Sequence, residues 1–237
     1  MKGVILAAGK ATRLYPITIE ISKMILPIYN KPVIYYSAKA LIDSGIKEVF
    51  VVCRSIHLNQ IKTVLSNYPE FSDVEFKYKV KDHDLGMPYS ILQAEDFAGD
   101  DHIIVMPGDN IFLENYKNII NKFKGGAVVH LTEVKDPERF GTILYKKGKV
   151  FDLVEKPEKA QTNFALTAPY IFDHHVFRLI KQLKPSARGE LEITEVLKMY
   201  LSQKTLEFTK TKGYWNDVGT FDAIIEAGNY IKKVTKI

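Results

Sequence analysis

Four short apolar segments, separated by stretches with helical patterning, constrain the fold of the first half of this 237-residue chain. Three of them are unbroken apolar runs, which are typical of strands buried on both faces of a parallel sheet. The strand candidates are residues 4–7, 49–52, 76–80 and 103–106, and the helix candidates between them are 32–42, 55–65 and 88–97. Pro32 suits a first helical turn and Ser55 suits a helix cap. The alternation predicts an α/β fold with a mostly parallel, doubly wound, Rossmann-like sheet flanked by helices.

The second half of the sequence is less regular and predicts a smaller β-rich portion. A hairpin is expected around the turn Lys147-Gly148, and Thr220 suits the cap of a last helix. The strand candidates are residues 127–131, 141–146, 150–155 and 206–210, and the helix candidates are one that begins within 189–195 and one at 221–232. No segment resembles a linker, so we expect one domain over residues 1–237.

Composition excludes several classes of protein. Hydrophobic content of 46% and charged content of 26% are those of a soluble globular chain, and no apolar run reaches the ~20 residues of a membrane span. Cys53 is the single cysteine, so an internal disulfide is excluded, and we expect it in the core rather than as a nucleophile. The chain starts directly in a strand pattern, so no secretory signal is expected and the cytoplasm is the expected location. The net charge of +5 is spread, which favours anionic small molecules over nucleic acid or membrane as partners.

The turn after the first strand has the composition of a phosphate-binding loop. It reads Ala7-Ala8-Gly9-Lys10-Ala11-Thr12, and Arg13 and Lys23 follow it. Small residues allow backbone N–H groups to approach an oxyanion, and two cations can clamp a polyphosphate. The chain has neither G-x-x-x-x-G-K-[ST] nor G-x-G-x-x-G here, so the common nucleotide loops are excluded.

This stretch closely resembles the signature of the sugar-1-phosphate nucleotidylyltransferases, G-x-G-T-R-L-x-P-x-T followed by K-x-x-x-P-x-x-x-K-P. One position departs from it: Ala11 stands where the family has its second loop glycine. Since alanine disfavours a positive φ, the loop path is expected to differ locally. The matching residues are Gly9, Thr12, Arg13, Leu14, Pro16, Thr18, Lys23, Pro27, Lys31 and Pro32.

The resemblance covers nearly the whole chain and implies a reaction. It is the Mg²⁺-dependent transfer of a nucleotidyl group from a nucleoside triphosphate to a sugar 1-phosphate, with release of pyrophosphate. Residues 1–130 would mainly bind the nucleotide and 131–237 mainly the sugar, with a shared cleft. Arg13 and Lys23 would be catalytic. The nucleotide-binding residues would be Leu6, Ala7, Ala8, Gly9, Lys10, Ala11, Thr12, Lys81 and Gly86.

Two aspartates are candidate metal ligands. Asp109 follows an apolar strand, where a hard carboxylate suits Mg²⁺, although Pro-Gly-Asp-Asn is equally good turn chemistry. Beside the N-terminal signature, Gly108-Asp109-Asn110 resembles the family's metal-binding motif. Asp217 lies in a stretch that resembles the family's W-x-D-x-G-T element, whose aspartate shares the metal, although a helix N-terminus also favours an aspartate.

Further matches imply a sugar-phosphate site. Glu155 and Lys156 resemble a family pair that binds the sugar hydroxyls and the sugar phosphate, although an exposed ion pair is the alternative. Ala168 replaces a family glycine at the sugar, and residues 185–194 are interpreted as mainly structural. The implied sugar-phosphate-binding residues are Asn110, Gly141, Glu155, Lys156, Asn163 and Thr167.

The base-reading region departs most from the family. Lys81 falls where members specific for thymidine or uridine carry a glutamine, and Tyr89 lies in the altered turn that begins at Gly86. A glutamine amide can both donate and accept hydrogen bonds, whereas a lysine ammonium only donates. Lys81 would therefore suit a base whose facing edge carries only acceptors, such as cytosine O2 and N3, or it would turn away and leave Asp82 to accept a hydrogen bond from the base. An equally good explanation is that the alignment of this loop with the family is shifted by one residue, so that Lys81 does not correspond to the glutamine.

The most similar family members use dTTP and glucose 1-phosphate, and we expect the same here. The alternatives are UTP or CTP, another sugar 1-phosphate, or a catalytically silent nucleotide-sugar sensor. A homo-oligomer is left open. Some members continue past the last helix into an extension that is linked to oligomer contacts and feedback control, and this chain resembles the short form that ends at Ile237.

Overall fold

The structure is a computed structural model that describes residues 1–235. In chain order its strands and helices are β1 (Lys2–Ala7), β2 (Pro27–Ile28), β3 (Lys31–Pro32), α1 (Val33–Asp43), β4 (Glu48–Cys53), α2 (Leu58–Ser66), β5 (Glu75–Val80), α3 (Met87–Leu92), α4 (Glu95–Ala98), β6 (Ile103–Pro107), β7 (Asn110–Leu113), α5 (Lys117–Lys122), β8 (Ala127–Glu133), β9 (Gly141–Lys146), β10 (Lys149–Glu155), β11 (Phe164–Phe172), α6 (His175–Ile180), α7 (Ile193–Ser202), β12 (Leu206–Lys210), β13 (Tyr214–Asp217) and α8 (Phe221–Val234).

The chain divides into two compact units. The first, which we call the parallel-sheet unit, contains residues 2–83, 106–122 and 212–235. The second, which we call the mixed-sheet unit, contains Met1 and residues 84–105 and 123–211. Each unit is assembled from segments that are distant in the sequence.

The parallel-sheet unit is built on β1, β4 and β5, which run parallel with β4 in the middle. The register aligns Ala7 with Cys53 and Cys53 with Val80, so the three strands end in one row. Ligands of open parallel sheets bind beyond such carboxyl-terminal edges. The predicted α/β class and these three strands are confirmed.

A small apolar core anchors the carboxyl-terminal helix of the parallel-sheet unit. Helix α8 packs against β2 and β13, and β13 pairs with β7 in antiparallel fashion. Thr220 caps α8 as predicted, since its Oγ1 accepts a hydrogen bond from the N–H of Ala223 at 3.3 Å. The core residues are Ile28, Val33, Tyr36, Ile111, Val218, Ala227 and Ile231.

The mixed-sheet unit is mainly antiparallel. Strand β11 pairs with β8, with β9 and with the first residues of β6, and β9 forms the predicted hairpin with β10. Strand β12 adds to β8 in parallel. Strand β11 was not predicted, because Pro169 lies inside it and proline argues against a central strand. The register shifts between Thr167 and Tyr170, which accommodates that proline.

Two local predictions were wrong. The helix expected at 88–97 is two helices, α3 and α4, because Ala94 leaves the helical conformation at φ −93° and ψ 4°. Ser55 does not cap α2. It begins a short 3-10 turn, and its backbone N–H donates to Asp82 Oδ1 at 2.9 Å, so α2 starts only at Leu58.

Within residues 1–235, no helix has the length and apolar character that crossing a membrane requires.

Candidate active site

The loop after β1 is open where a ligand would approach. A Cβ added to Gly9 would meet no atom within 4 Å, so packing of the protein does not require a glycine there. Ala11 takes the left-handed conformation at φ 53° despite its side chain, which costs about 1–2 kcal/mol. Its carbonyl accepts hydrogen bonds from the Leu14 N–H at 3.0 Å and from Thr18 Oγ1 at 2.8 Å, which offset that cost. Ala11 thus adopts a positive φ despite its side chain, and the expected difference in loop path from the family stays a prediction.

Arg13 lies in the 3-10 turn Thr12–Leu14 that follows this loop. Its side chain is 57% exposed, and its Nη2 lies 3.9 Å from Asp217 Oδ2. The guanidinium rests against Gly219, since a Cβ on this glycine would lie 2.5 Å from Arg13 Nη2 and 3.2 Å from Asp217 Oδ2. Asp217 and Gly219 therefore fix the position of the guanidinium, while the rest of the side chain is exposed to a ligand.

Replacing Gly219 with alanine is expected to lower kcat about 10- to 100-fold, because the new methyl group displaces the Arg13 guanidinium. The fold should persist, since the displaced atoms are the end of a flexible side chain. Pyrophosphate release and thermal unfolding would be measured together. Gly228→Ala is the matched control because its nearest new neighbour, the Tyr29 N, lies at 3.7 Å. Equal kcat values in Gly219→Ala and Gly228→Ala would show that the contact between Arg13 and Gly219 does not affect the reaction.

Lys23 is a buried cation in a second short turn. Ser22 caps this turn, Lys23–Ile25, through a hydrogen bond from the Met24 N–H to its Oγ at 3.3 Å. The Lys23 Nζ donates to Asp109 Oδ2 at 2.5 Å. Burial alone would raise the pKa of Asp109, but the charge and hydrogen bond of Lys23, with further hydrogen bonds from the backbone and Asn110, together hold this pKa below its ordinary value. Asp109 is therefore ionised at neutral pH.

The two predicted metal ligands meet at one end of the β7–β13 pair. Asp217 lies opposite Asn110 in the register, and the Val218 N–H donates to the Asp109 carbonyl at 3.1 Å. The Asn110 side-chain amide donates to Asp109 Oδ1 at 3.0 Å and to Asp217 Oδ1 at 3.5 Å. Five predicted site residues thus form one connected set, which we call the carboxylate network: Arg13, Lys23, Asp109, Asn110 and Asp217.

The donors of the carboxylate network fit Mg²⁺. This ion favours one or two carboxylates, completed by phosphate oxygens and water. Asp109 and Asp217 supply two carboxylates that one amide holds together, and each keeps lone pairs for a cation. In residues 1–235 no group of three or more His, Cys, Asp or Glu side chains is arranged for a metal.

Lys81 lies at the same sheet edge as the loop after β1. It directly follows β5, its N–H donates to the Cys53 carbonyl at 2.8 Å, and the residue is buried. Asp82 is exposed and its Oδ1 accepts from the Ser55 N–H, which lowers the pKa of Asp82. Which of these two residues would read the base stays a prediction.

Gly86 has a structural reason to be glycine. Its φ is 89°, and a Cβ there would lie 2.2 Å from the Leu191 carbonyl oxygen. The requirement comes from this close approach of two backbones in the mixed-sheet unit. A role for Gly86 in binding the nucleotide stays a prediction.

A second set of predicted residues lies together in the mixed-sheet unit. Glu155 ends β10 opposite Gly141, where a Cβ would lie 3.3 Å from Glu155 Oε2 and 2.6 Å from Thr194 Cγ2. Lys156 has φ 41°, and its Nζ lies 3.9 Å from Glu155 Oε1. Strained backbone of this kind is concentrated at functional sites. Burial and the neighbouring Glu192 raise the pKa of Glu155 above its ordinary value.

Arg188 also contacts this set, which the sequence interpretation did not anticipate. It was assigned to a structural stretch, yet its Nη2 lies 3.8 Å from Glu155 Oε1. Glu192 holds it through bonds of 2.8 Å from Nη2 and 3.1 Å from Nε. The signal was an arginine beside a glycine in a loop before a helix. Arg188 and Glu155 are 33 residues apart in the sequence, so no local pattern could have predicted their contact.

The two remaining sugar candidates differ in exposure. Asn163 is exposed, and its carbonyl accepts from the Val134 N–H at 2.9 Å. Thr167 is buried, and its hydroxyl lies 2.7 Å from that of Thr132, which in turn lies 2.7 Å from that of Thr211. The hydroxyl of Thr167 thus belongs to a chain of three.

Cys53 lies in the core as expected. Its side chain is fully buried in the middle strand, and burial raises the pKa of its thiol to about 11. The thiol is therefore protonated at neutral pH, which agrees with a packing role rather than a nucleophilic one.

The chain matches the family model for nucleotidyl transferases over residues 2–234, and it belongs to this family. It is 35% identical over 244 residues to the glucose-1-phosphate thymidylyltransferase of Neisseria meningitidis, with 100% of this chain and 84% of the relative covered. A Bacillus anthracis crystal structure with sucrose, provisionally named glucose-1-phosphate thymidylyltransferase, has a TM-score of 0.92 at 35% identity and coverages of 100% and 97%. A structure of UDP-glucose pyrophosphorylase with UDP-glucose has a TM-score of 0.86 at 25% identity, with 99% of each chain covered. The predicted family and enzyme class are confirmed.

Proposed function

We propose that this protein transfers the thymidylyl group of dTTP to glucose 1-phosphate in a Mg²⁺-dependent reaction. The observation that carries the proposal is the carboxylate network, in which two cations and two carboxylates are joined within the parallel-sheet unit. The similarity to proteins named for this activity supports the choice of base and sugar.

The chemistry is an in-line displacement at the α-phosphorus. A phosphate oxygen of glucose 1-phosphate forms the new O–P bond, the bond between the α-phosphorus and its bridging oxygen breaks, and pyrophosphate leaves with the electron pair. No covalent enzyme intermediate or proton transfer is required, so catalysis comes from positioning and charge neutralisation. Arg13 would stabilise the α-phosphorus region and the leaving group, and Lys23 would hold a phosphate.

Asp109 and Asp217 would hold Mg²⁺, which when bound neutralises phosphate charge. The loop N–H groups between Ala7 and Thr12 would bind phosphate oxygens directly. In the mixed-sheet unit, Lys156 would bind the sugar phosphate and Glu155 would accept hydrogen bonds from sugar hydroxyls. Arg188, fixed beside Glu155, adds a further cation to that set.

A substrate matrix tests the proposal. Pyrophosphate release would be measured with dTTP, dCTP, dATP, dGTP and UTP against the 1-phosphates of glucose, galactose and N-acetylglucosamine, with and without Mg²⁺. We expect the highest kcat/KM for dTTP with glucose 1-phosphate and no release without the metal. Tight binding of nucleotide-sugars without any pyrophosphate release would instead identify a catalytically silent sensor.

The donor-only side chain of Lys81 is the reason for a second candidate, an enzyme with a relaxed preference among pyrimidines. An ammonium only donates, so it cannot accept from the N3–H of thymine or uracil. It can donate to O2, which these bases share with cytosine. If Lys81 contacts the base, we therefore expect the kcat/KM for dCTP to lie within about tenfold of that for dTTP. The contacts of the two bases with Lys81 would differ by one hydrogen bond, which is worth about a factor of ten.

Lys81→Gln tests this contact. A glutamine amide supplies both a donor and an acceptor, so the ratio of kcat/KM for dTTP over dCTP should rise about tenfold, the equivalent of one hydrogen bond. Lys79→Gln, at an exposed position of β5, the strand that precedes Lys81, is the control and should leave the ratio unchanged. An unchanged ratio in Lys81→Gln would mean that this side chain does not read the base.

A further inference from the structure

The half-buried Trp215 has no role in the chemistry proposed above, yet it contacts the carboxylate network. Trp215 and Asp217 lie on the same face of β13, since strand side chains alternate. The Trp215 indole Nε1 donates to Asn110 Oδ1 at 3.0 Å. Asn110 therefore links this indole to the two aspartates through hydrogen bonds.

The surroundings of Asn110 determine which way its amide points. The side chain is only 6% exposed, so its polar atoms depend on protein partners. Two of those partners are the side chains of Asp109 and Asp217, whose carboxylate oxygens accept, and the third, the indole N–H, can only donate. Only one of the two amide orientations satisfies all three: the NH₂ group faces the carboxylates and the oxygen faces the indole.

Asn110 is therefore engaged by the protein on both ends of its amide. Both amide hydrogens are directed at carboxylate oxygens, at 3.0 Å and 3.5 Å. The oxygen is held by Trp215. A role in contacting the sugar phosphate, implied by the family resemblance, stays a prediction and would have to use the remaining lone pair of that oxygen.

We propose that Trp215 is a positioning residue that acts through Asn110: its indole N–H fixes the amide so that the amide holds Asp109 and Asp217 together for a divalent cation. Without the indole donor the amide oxygen loses its hydrogen-bond partner, and only the NH₂ end of the amide is still held, by the two carboxylates. The inference rests on the proposed function only in taking the two aspartates as cation ligands. Outer partners of this kind commonly change metal affinity 10- to 100-fold.

The test is binding of Mn²⁺ alone, followed by the EPR signal of the free ion at neutral pH. Trp215→Phe keeps the ring and removes the donor, and it should weaken Mn²⁺ binding about tenfold. Asn110→Leu should weaken it at least as much, and the double variant should be no weaker than Asn110→Leu alone, because the indole acts through the amide. Tyr214→Phe, on the other face of the same strand, is the matched control and should bind like the wild type. If Asn110→Leu does not fold, Asn110→Ala takes its place in the cycle.

The outcomes separate this inference from the proposed function. If the wild type releases pyrophosphate and binds Mn²⁺ but Trp215→Phe binds like Tyr214→Phe, the positioning role is wrong and the function stands. Additive effects in the double variant, or a wild type that binds no Mn²⁺, would also overturn it. If no nucleotide in the substrate matrix yields pyrophosphate while Trp215→Phe still weakens Mn²⁺ binding through Asn110, the positioning role stands and the function falls.

Discussion

Arg13→Ala is expected to lower the rate of pyrophosphate release about 10²- to 10³-fold, the effect of removing one preorganised donor from a developing charge. The Arg13 side chain is more than half exposed, and its guanidinium lies beside Asp217 and Gly219, so it can reach a ligand without rearrangement of the loop. Because the charge that develops on the leaving pyrophosphate is absent in the bound substrates, most of the loss should appear in kcat rather than in KM.

The stability of Arg13→Ala should match that of the wild type, because an exposed ion pair contributes little to folding. Arg13→Lys should recover only part of the rate, since an ammonium cannot form the paired bonds of a guanidinium with phosphate. Arg178→Ala, at an exposed arginine of α6, controls for loss of one positive charge. Single-turnover kinetics would measure these rates, and near wild-type release by Arg13→Ala would exclude its catalytic role.

Lys23→Met is expected to reduce both activity and stability. The ammonium is buried against Asp109, and its removal leaves a carboxylate that is only 26% exposed without its main partner. Breaking a fully buried pair costs about 3–5 kcal/mol, and the partial exposure of Asp109 reduces the expected loss to about 1–3 kcal/mol. Pyrophosphate release should fall at least as far as in Arg13→Ala, because the same change removes a phosphate-binding cation and disturbs Asp109.

The stability difference between Lys23→Met and the wild type should depend on pH. The folded-state pKa of Asp109 is lowered, mainly by Lys23 acting against burial, so this group stabilises the fold above its unfolded pKa of about 3.9. That contribution is lost as the pH falls through the lower folded-state value. The difference in unfolding free energy should therefore be constant near neutral pH and shrink below about pH 4.

Urea unfolding at several pH values would measure this difference. Lys39→Met is the matched control, since Lys39 forms an exposed i,i+4 pair with Asp43 on α1. Such a surface pair contributes only about 0.3–0.5 kcal/mol. Equal destabilisation by both variants, or a difference that persists at low pH, would contradict the buried pair.

The sequence was most predictive where the chemistry is local. Unbroken apolar runs predicted β1 and β4 because a strand buried on both faces needs apolar side chains at every position. The sequence was least predictive for β11 and α2. Pro169 argues against a strand at β11, yet pairing with neighbouring strands stabilises it. Ser55, the expected cap of α2, is instead hydrogen-bonded to Asp82. In both cases a tertiary contact outweighed the local preference.

The sequence by itself determined three features of this protein: a parallel α/β scaffold, a loop of small residues followed by Arg13, and carboxylates at Asp109 and Asp217. These follow from composition, periodicity and short motifs, which depend on near neighbours in the chain. Only the tertiary structure decided that Lys23 is buried on Asp109, that Trp215 orients Asn110 and that Arg188 lies beside Glu155. Those contacts join residues that are 33 to 105 positions apart, and packing of distant elements selects them, which no local pattern encodes.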